Sequence, residues 1–249
     1  AAQHVEGELE VEIAHQIGYL PEERGLYPAM SAVEALAFMG ALRGLPIRES
    51  RRRAMELLRT RGSEDWAKRQ VRTLSKGMAQ TVQLLGTIIH KPRLIILDEP
   101  FSGLDAINQA RLEELIKREA RSGATIIFST HVIAHAERLC ERVAIIATGK
   151  VVFDGGVDEA RARLRPIVRL RTRASDGPWK SAIPEQARKE GDEWVFELPE
   201  GGPEPLLKAL IDGGAGIETL AIERPGLHDA FVSIAGDAAA AAMGQEKPQ

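Results

Sequence analysis

The chain has 249 residues, a formal net charge of −3, 44% hydrophobic residues and 28% charged residues. These values are ordinary for a folded protein, and nothing in the charge balance indicates a nucleic-acid-binding protein, so we expect no nucleic-acid partner. A single cysteine, Cys140, excludes a disulfide framework.

A short strand is the first predicted element. The segment IGYLP (17–21) is apolar and stops at Pro21, and the loop 22–30 follows. Ser31, with Glu34 three residues later, forms the pattern of a capping box. The pattern predicts that a helix begins at this point.

Helices dominate the next part of the prediction. The first stops near Gly44, a second covers roughly 48–60 with basic residues on its exposed side, and Ser75 opens a third that ends before Pro92. Residues 31–91 therefore read as an inserted helical block.

The stretch LIILDEP is the most informative strand. Four aliphatic residues (94–97) follow one another without alternation, which predicts a strand of a parallel sheet that is buried on both faces. Asp98 and Glu99 come directly after it, at the end of the strand where open α/β sheets bind ligands. A buried carboxylate pair is costly unless it is compensated, so we expect a cation opposite it.

Strands and helices then alternate. A helix at about 108–121, the strand ATIIFST (124–130), a helix at 132–140 and a hairpin that turns at Gly149-Lys150 follow in order. This alternation predicts an α/β fold with a largely parallel core.

The composition changes after Pro166. VRLRTR and EWVFELP alternate like half-exposed strands, and EPLLKALIDGGA predicts a short helix. We expect a small α+β domain over 166–235 and a loose tail over 236–249, where the sequence is low in complexity.

Four motifs occur in a fixed order: LSKGM (74–78), LDEP (97–100), SGLD (102–105) and Ser129-Thr130-His131. Together they resemble the ABC-type ATPases over about residues 17–160. The resemblance implies a P-loop NTPase-type core sheet with an inserted helical subdomain (about 31–91), within a partial ABC ATPase domain over 1–165. The small C-terminal α+β domain would follow it.

The resemblance also implies roles for individual residues. Asp98 would hold Mg²⁺, and Glu99 would be the general base that polarises the attacking water. His131 would reach the γ-phosphate of ATP and fix that water. The alternatives are an ordinary acidic helix N-terminus for the two acids and a surface histidine for His131.

The LSKGM and SGLD motifs imply a dimer. In the family, the signature loop, here Ser75, Lys76 and Gly77, grips the γ-phosphate bound to the opposite subunit. Asp105 would cross the same interface and tie the two sites together. The alternative for Ser75 is a plain helix cap.

Four positions depart from the family pattern, and one of them is Thr81, where arginine or lysine is usual. Lys76 stands where glycine is usual, Met78 where glutamine is usual, and Glu22 where the loop after the first strand usually has glutamine. Glu22 would bring a full charge to the metal instead of a neutral amide oxygen.

The phosphate-binding (Walker A) motif G-x-x-x-x-G-K-[ST] does not occur in the 249 residues. In ABC ATPases it lies upstream of the IGYLP strand, so we expect an N-terminally truncated chain that is inactive alone. GYLPEERGLYP and RPGLHDAFVSI (224–234) resemble segments of sodium-exporter and related ATP-binding subunits.

The favoured hypothesis is the ATP-binding and ATP-hydrolysing subunit of a membrane exporter, with ATP and Mg²⁺ as cofactors. Its expected partners are a second ATPase subunit and a multi-span membrane permease that holds it on the cytoplasmic face of the plasma membrane. Arginines of the second helix would dock the permease, unless they only form a solvated face: Arg48, Arg51, Arg52 and Arg53. A soluble ABC-type ATPase and a non-catalytic binding module are the alternatives.

Overall fold

The structure is a computed structural model that describes residues 15–23 and 25–245. The chain divides into two compact units, of which the first ends at His131 and the second begins at Val132. Each unit has its own sheet.

Over residues 17–23 and 25–131, the first unit has three strands and four α-helices, in the predicted order of elements. Two 3₁₀ turns, Glu64–Trp66 and Val71–Thr73, precede its third helix. The elements are β1 (Ile17–Leu20), α1 (Ala32–Leu42), α2 (Ile47–Thr60), α3 (Lys76–Ile88), β2 (Leu94–Asp98), α4 (Ala106–Arg121) and β3 (Thr125–Ser129).

The strands of the first unit form a parallel sheet in the order β1-β2-β3. One face is buried, because Ile95 and Leu97 of β2 lie against apolar residues of α3 and α4. On the other face Tyr19 and Ile127 are 47% and 56% exposed. The prediction of burial on both faces is therefore correct for only one face within the described residues, since α3 and α4 both pack on that side.

Two predicted caps are confirmed. The Ser31 N–H donates to Glu34 Oε2 at 2.9 Å, and Ser31 Oγ accepts from the Glu34 N–H, which completes the capping box of α1. Ser75 Oγ accepts from the Met78 N–H and begins α3.

The second unit carries a β-hairpin and a four-stranded antiparallel sheet of order β7-β8-β6-β9. The hairpin turns at Thr148 and Gly149, both with positive φ, one residue before the predicted turn. The elements are α5 (Ile133–Leu139), β4 (Arg142–Ala147), β5 (Lys150–Gly156), α6 (Val157–Arg161), β6 (Ile167–Thr172), a 3₁₀ turn (Pro178–Ala182), β7 (Arg188–Glu190), β8 (Glu193–Glu197), α7 (Pro203–Asp212), β9 (Ile217–Glu223) and α8 (Leu227–Gln245).

Two apolar clusters form inside the second unit. The hairpin packs with α6 and α8, and its buried residues include Phe153 and Leu227. The four-stranded sheet packs with α7 around Leu170, Trp179 and Leu210. The RPGLHDAFVSI segment therefore joins the hairpin cluster.

Helix α8 continues to Gln245, where the sequence predicted a loose tail from residue 236. The prediction of a tail is wrong over 236–245. The run of alanines in this segment favours a helix, because alanine has the highest helix propensity of any residue type.

His90 joins the end of α3 to β1 and should make the stability of the protein depend on pH. Its Nε2 lies 3.2 Å from the Ile17 carbonyl oxygen, and its Nδ1 is buried without a partner. Burial lowers the pKa of His90, and the positive charge of Arg43 lowers it further. Below about pH 6.5 the unfolded chain therefore takes up the proton first.

We expect the free energy of unfolding to be highest above about pH 6.5 and to fall as the pH decreases toward the folded pKa of His90. Urea titrations at several values between pH 7.5 and 5 measure this slope. In His90→Asn, which can still donate to the Ile17 carbonyl but does not titrate, the slope should be smaller. Equal slopes in the two proteins would contradict the assignment.

Candidate functional site at the end of the parallel sheet

The acidic pair lies at the carboxyl end of β2, beside the end of β3. The parallel register places Asp98 opposite Ser129. Ser129 Oγ donates to Asp98 Oδ1 and accepts from the Glu99 N–H at 3.1 Å, so that one hydroxyl orients both acids. Glu99 has a φ of 41°, in the left-handed region that residues other than glycine rarely adopt. Such strained residues concentrate at functional sites.

Glu99 is fixed by His131. Glu99 Oε1 lies 2.8 Å from the backbone N of His131 and 2.8 Å from its ring Nδ1. The Glu99 side chain is 18% exposed, whereas that of His131 is 75% exposed. The carboxylate is thus held at one oxygen by two nitrogens, and the ring of His131 remains open to solvent.

A cleft of about 280 Å³ lies next to Glu99. The residues that line it are Glu22, Glu23, Lys76, Gln80, Glu99 and Ser102. Three of the six are carboxylates and one is an ammonium group. Lys76 is the one cationic side chain among these six residues, and Asp98 is not among them.

The LSKGM and SGLD motifs pack against each other within one chain. The side chain of Lys76 lies over Gly103, whose φ is 67°, and a Cβ at Gly103 would overlap the Lys76 ammonium. Gly77 lies beneath Asn108, since a Cβ at Gly77 would be 2.5 Å from Asn108 Nδ2. Lys76 and Gly77 therefore hold the start of α3 against the loop before α4.

Asn108 in turn holds Asp105, the N-cap of α4. Its backbone N–H donates to Asp105 Oδ1 at 2.9 Å, and its Nδ2 donates to Asp105 Oδ2 at 2.7 Å. Both hydrogen bonds lower the pKa of Asp105 below its ordinary value, and the backbone hydrogen bond has the larger effect. Asp105 is therefore a fixed carboxylate beside the start of α3.

Comparison with known proteins gives a consistent result. A family profile described as ABC transporter matches residues 2–102. The chain is 33% identical over 228 residues to the uncharacterized ABC transporter ATP-binding protein YhaQ of Bacillus subtilis (strain 168), covering 90% of this chain and 76% of YhaQ. The chain belongs to the family of ABC transporter ATP-binding proteins.

Two further matches agree. The linearmycin resistance ATP-binding protein LnrL of Bacillus subtilis is 34% identical over 161 residues, which are 65% of this chain and 52% of LnrL. A solved structure, that of an ATP binding subunit of an ABC transporter, superposes with a TM-score of 0.56 at 33% identity. The superposition covers 63% of this chain and 65% of the solved chain. The fold of this ABC protein is accordingly the mixed α/β fold of the ABC ATPases.

The carboxylates at the end of β2 have the chemistry of a magnesium site that is completed by a nucleotide. Within residues 15–23 and 25–245, no group of three or more His, Cys, Asp or Glu side chains is placed to hold a metal by itself. Mg²⁺ prefers a site with one or two carboxylates, several waters and substrate phosphates. Asp98, oriented by Ser129 at the end of the sheet, offers such a carboxylate.

The structure brings the predicted site residues together in two groups. Glu22, Lys76 and Glu99 share the cleft. Asp98 directly precedes Glu99 in the chain, and His131 donates a backbone hydrogen bond to the Glu99 carboxylate. In the second group, Gly77 and Asp105 lie against Asn108, and Ser75 is the N-cap of the helix that carries Gly77.

The sequence analysis missed Gln80, Gln83 and Asn108. Gln80 and Gln83 are only 6% and 3% exposed on a mostly apolar stretch of α3, and this polar pair in a mostly apolar pattern is the signal that could have identified them. Asn108 gave no such signal, because asparagine near a helix N-terminus is common.

No helix in the described part of this ABC protein is long and apolar enough to cross a membrane.

Proposed function

We propose that this chain is part of the ATP-hydrolysing subunit of an ABC-type membrane exporter, which dimerises around MgATP and drives a multi-span permease. The observation that supports the proposal most is the fixed carboxylate of Glu99, held by His131 at the end of a parallel strand and adjacent to Asp98. This is the arrangement that hydrolysis of a phosphate anhydride by an activated water requires.

In the proposed reaction, Glu99 accepts a proton from the attacking water. One of its oxygens is occupied by His131, so the other is the base. His131, with its exposed ring, holds Glu99 in place and faces the γ-phosphate. Asp98, with Glu22 from the loop after β1, would hold Mg²⁺, which supplies positive charge to the phosphates when it is bound.

The second group of residues, together with Lys76 from the cleft, would serve the opposite nucleotide. The first turn of α3 has N–H groups without helical partners, and the helix dipole favours an anion at that end. Lys76 adds a cation that glycine does not provide. We propose that Ser75, Lys76 and Gly77 contact the γ-phosphate held by a second copy, and that Asp105 lies in the same interface.

Export is proposed from the resemblance to exporter subunits and from the name of LnrL, which refers to resistance to a compound. Within α2, Arg52 pairs with Glu49 at 2.6 Å and with Glu56 at 3.5 Å, and Arg53 pairs with Glu49 at 2.7 Å, so these two arginines already have acidic partners. Arg48 and Arg51 remain the better candidates for docking the permease. The subunit would then lie on the cytoplasmic face of the plasma membrane through that partner.

The partner can be tested by affinity purification of the intact subunit from detergent-solubilised membranes, followed by mass spectrometry. We expect a multi-span membrane protein in amounts close to those of the subunit, and less of it with Arg48→Glu/Arg51→Glu. Arg59→Glu, on the same helix, is the control. Recovery only with ribosomes or DNA would contradict the transport proposal and support a soluble ABC-type ATPase.

A further inference from the structure

Helix α3 presents a row of polar side chains to the backbone of neighbouring segments. The positions are spaced by three and four residues, so they share one face of the helix and its extension. The four contacts are Gln80 Nε2 to the Pro100 carbonyl at 3.3 Å, Gln83 Nε2 to the Glu23 carbonyl at 3.3 Å, Thr87 Oγ1 to the Tyr19 carbonyl at 3.4 Å and His90 Nε2 to the Ile17 carbonyl at 3.2 Å.

The contact between α3 and β1 is close. A Cβ at Gly18 would lie 2.5 Å from the Thr87 carbonyl oxygen, so the helix rests directly on the strand. Gln83 and Thr87 are each 3% exposed. Hydrogen bonds at such buried positions are protected from water, and loss of one partner leaves the other unsatisfied.

The row joins α3 to both loops that carry the acids of the cleft. The Glu23 carbonyl follows Glu22 by one residue, and the Pro100 carbonyl follows Glu99 by one residue. We propose that Gln83 and Gln80 are positioning residues, which set Glu22 and Glu99 relative to the start of α3. This inference rests on the proposed function, in which Glu22 and Glu99 serve one nucleotide and the start of α3 serves the other. The two glutamines would then link the two nucleotide sites.

The hydrogen bonding of Gln83 favours a positioning role over a role in core packing alone. Its Oε1 is buried and has no hydrogen-bond partner. An unsatisfied buried acceptor lowers stability, so an apolar side chain of similar size would serve packing better. What the amide adds is the bond to the loop of Glu22.

Hydrogen exchange on the 249-residue chain tests the coupling without any need for ATP hydrolysis. In Gln83→Leu we expect roughly fivefold faster exchange in 17–23, as for loss of one hydrogen bond, with 99–104 unchanged. In Gln80→Leu we expect faster exchange in 99–104 and unchanged exchange in 17–23. Gln109→Leu removes a similar amide bond, from Nε2 to the Leu104 carbonyl, and should leave 17–23 unchanged.

Turnover of the intact subunit provides the second measurement. Gln83→Leu should lower kcat by roughly tenfold to a hundredfold through misplacement of Glu22, while KM for MgATP changes less than about twofold. Faster exchange throughout both units, or no change in 17–23, would overturn the coupling. If the exchange pattern holds but the intact wild type does not hydrolyse ATP, the proposed function fails and the coupling does not.

Discussion

Replacement of Glu99 by glutamine should lower steady-state MgATP turnover of the intact subunit by roughly 10²- to 10⁴-fold. Glutamine has the size of glutamate, and its carbonyl oxygen can still accept from the His131 backbone N–H, so the geometry of the site is kept. The amide, however, cannot take a proton from water. Nucleotide should therefore bind and remain trapped in a dimer of subunits.

Phosphate release measures the turnover, and size-exclusion chromatography with MgATP measures the dimer. Glu23→Gln is the matched control, because it removes the same charge from the same cleft and should cost much less activity. The 249-residue chain, which has no phosphate-binding motif, should give only the background rate. Near-normal turnover in Glu99→Gln would show that the general base is another group.

Replacement of Trp179 by alanine should destabilise the second unit by about 3–5 kcal/mol, as large-to-small changes of buried aromatic residues do. Trp179 is 1% exposed and packs edge-on against Trp194, with ring centroids 6.4 Å apart. It lies in the cluster between the four-stranded sheet and α7. Its removal would leave a cavity that the short 3₁₀ turn around it cannot fill.

Urea unfolding, followed through tryptophan fluorescence in a Trp66→Phe background, measures this loss in the second unit. Trp179→Phe is the informative control. Because the Trp179 Nε1–H is buried without a partner, phenylalanine loses area but no hydrogen bond, and it should cost clearly less than alanine. Equal costs for the two variants would contradict the packing that we describe.

The elements of the first unit could be predicted because their signals are local. The Ser31–Glu34 capping box fixes the start of α1, and the run of aliphatic residues in LIIL identifies β2. His131 lies beside Glu99 because two parallel strands end at the same edge of the sheet.

Other features depend on contacts that a local pattern does not encode. The strand β7, RKE, is short, polar and exposed, so neither hydrophobicity nor alternation indicates it. The pairing of Arg52 and Arg53 with Glu49 depends on the side-chain rotamers of α2. The position of Lys76 over Gly103 requires the packing of two segments that are far apart in sequence.

The most direct test of the account is a structure of the intact subunit with Mg²⁺ and a non-hydrolysable ATP analogue. We expect an Asp98 oxygen at the metal or at one of its waters, and Glu99 turned toward the water in line with the γ-phosphate. A structure in which both carboxylates face away from the bound nucleotide would contradict the central claim.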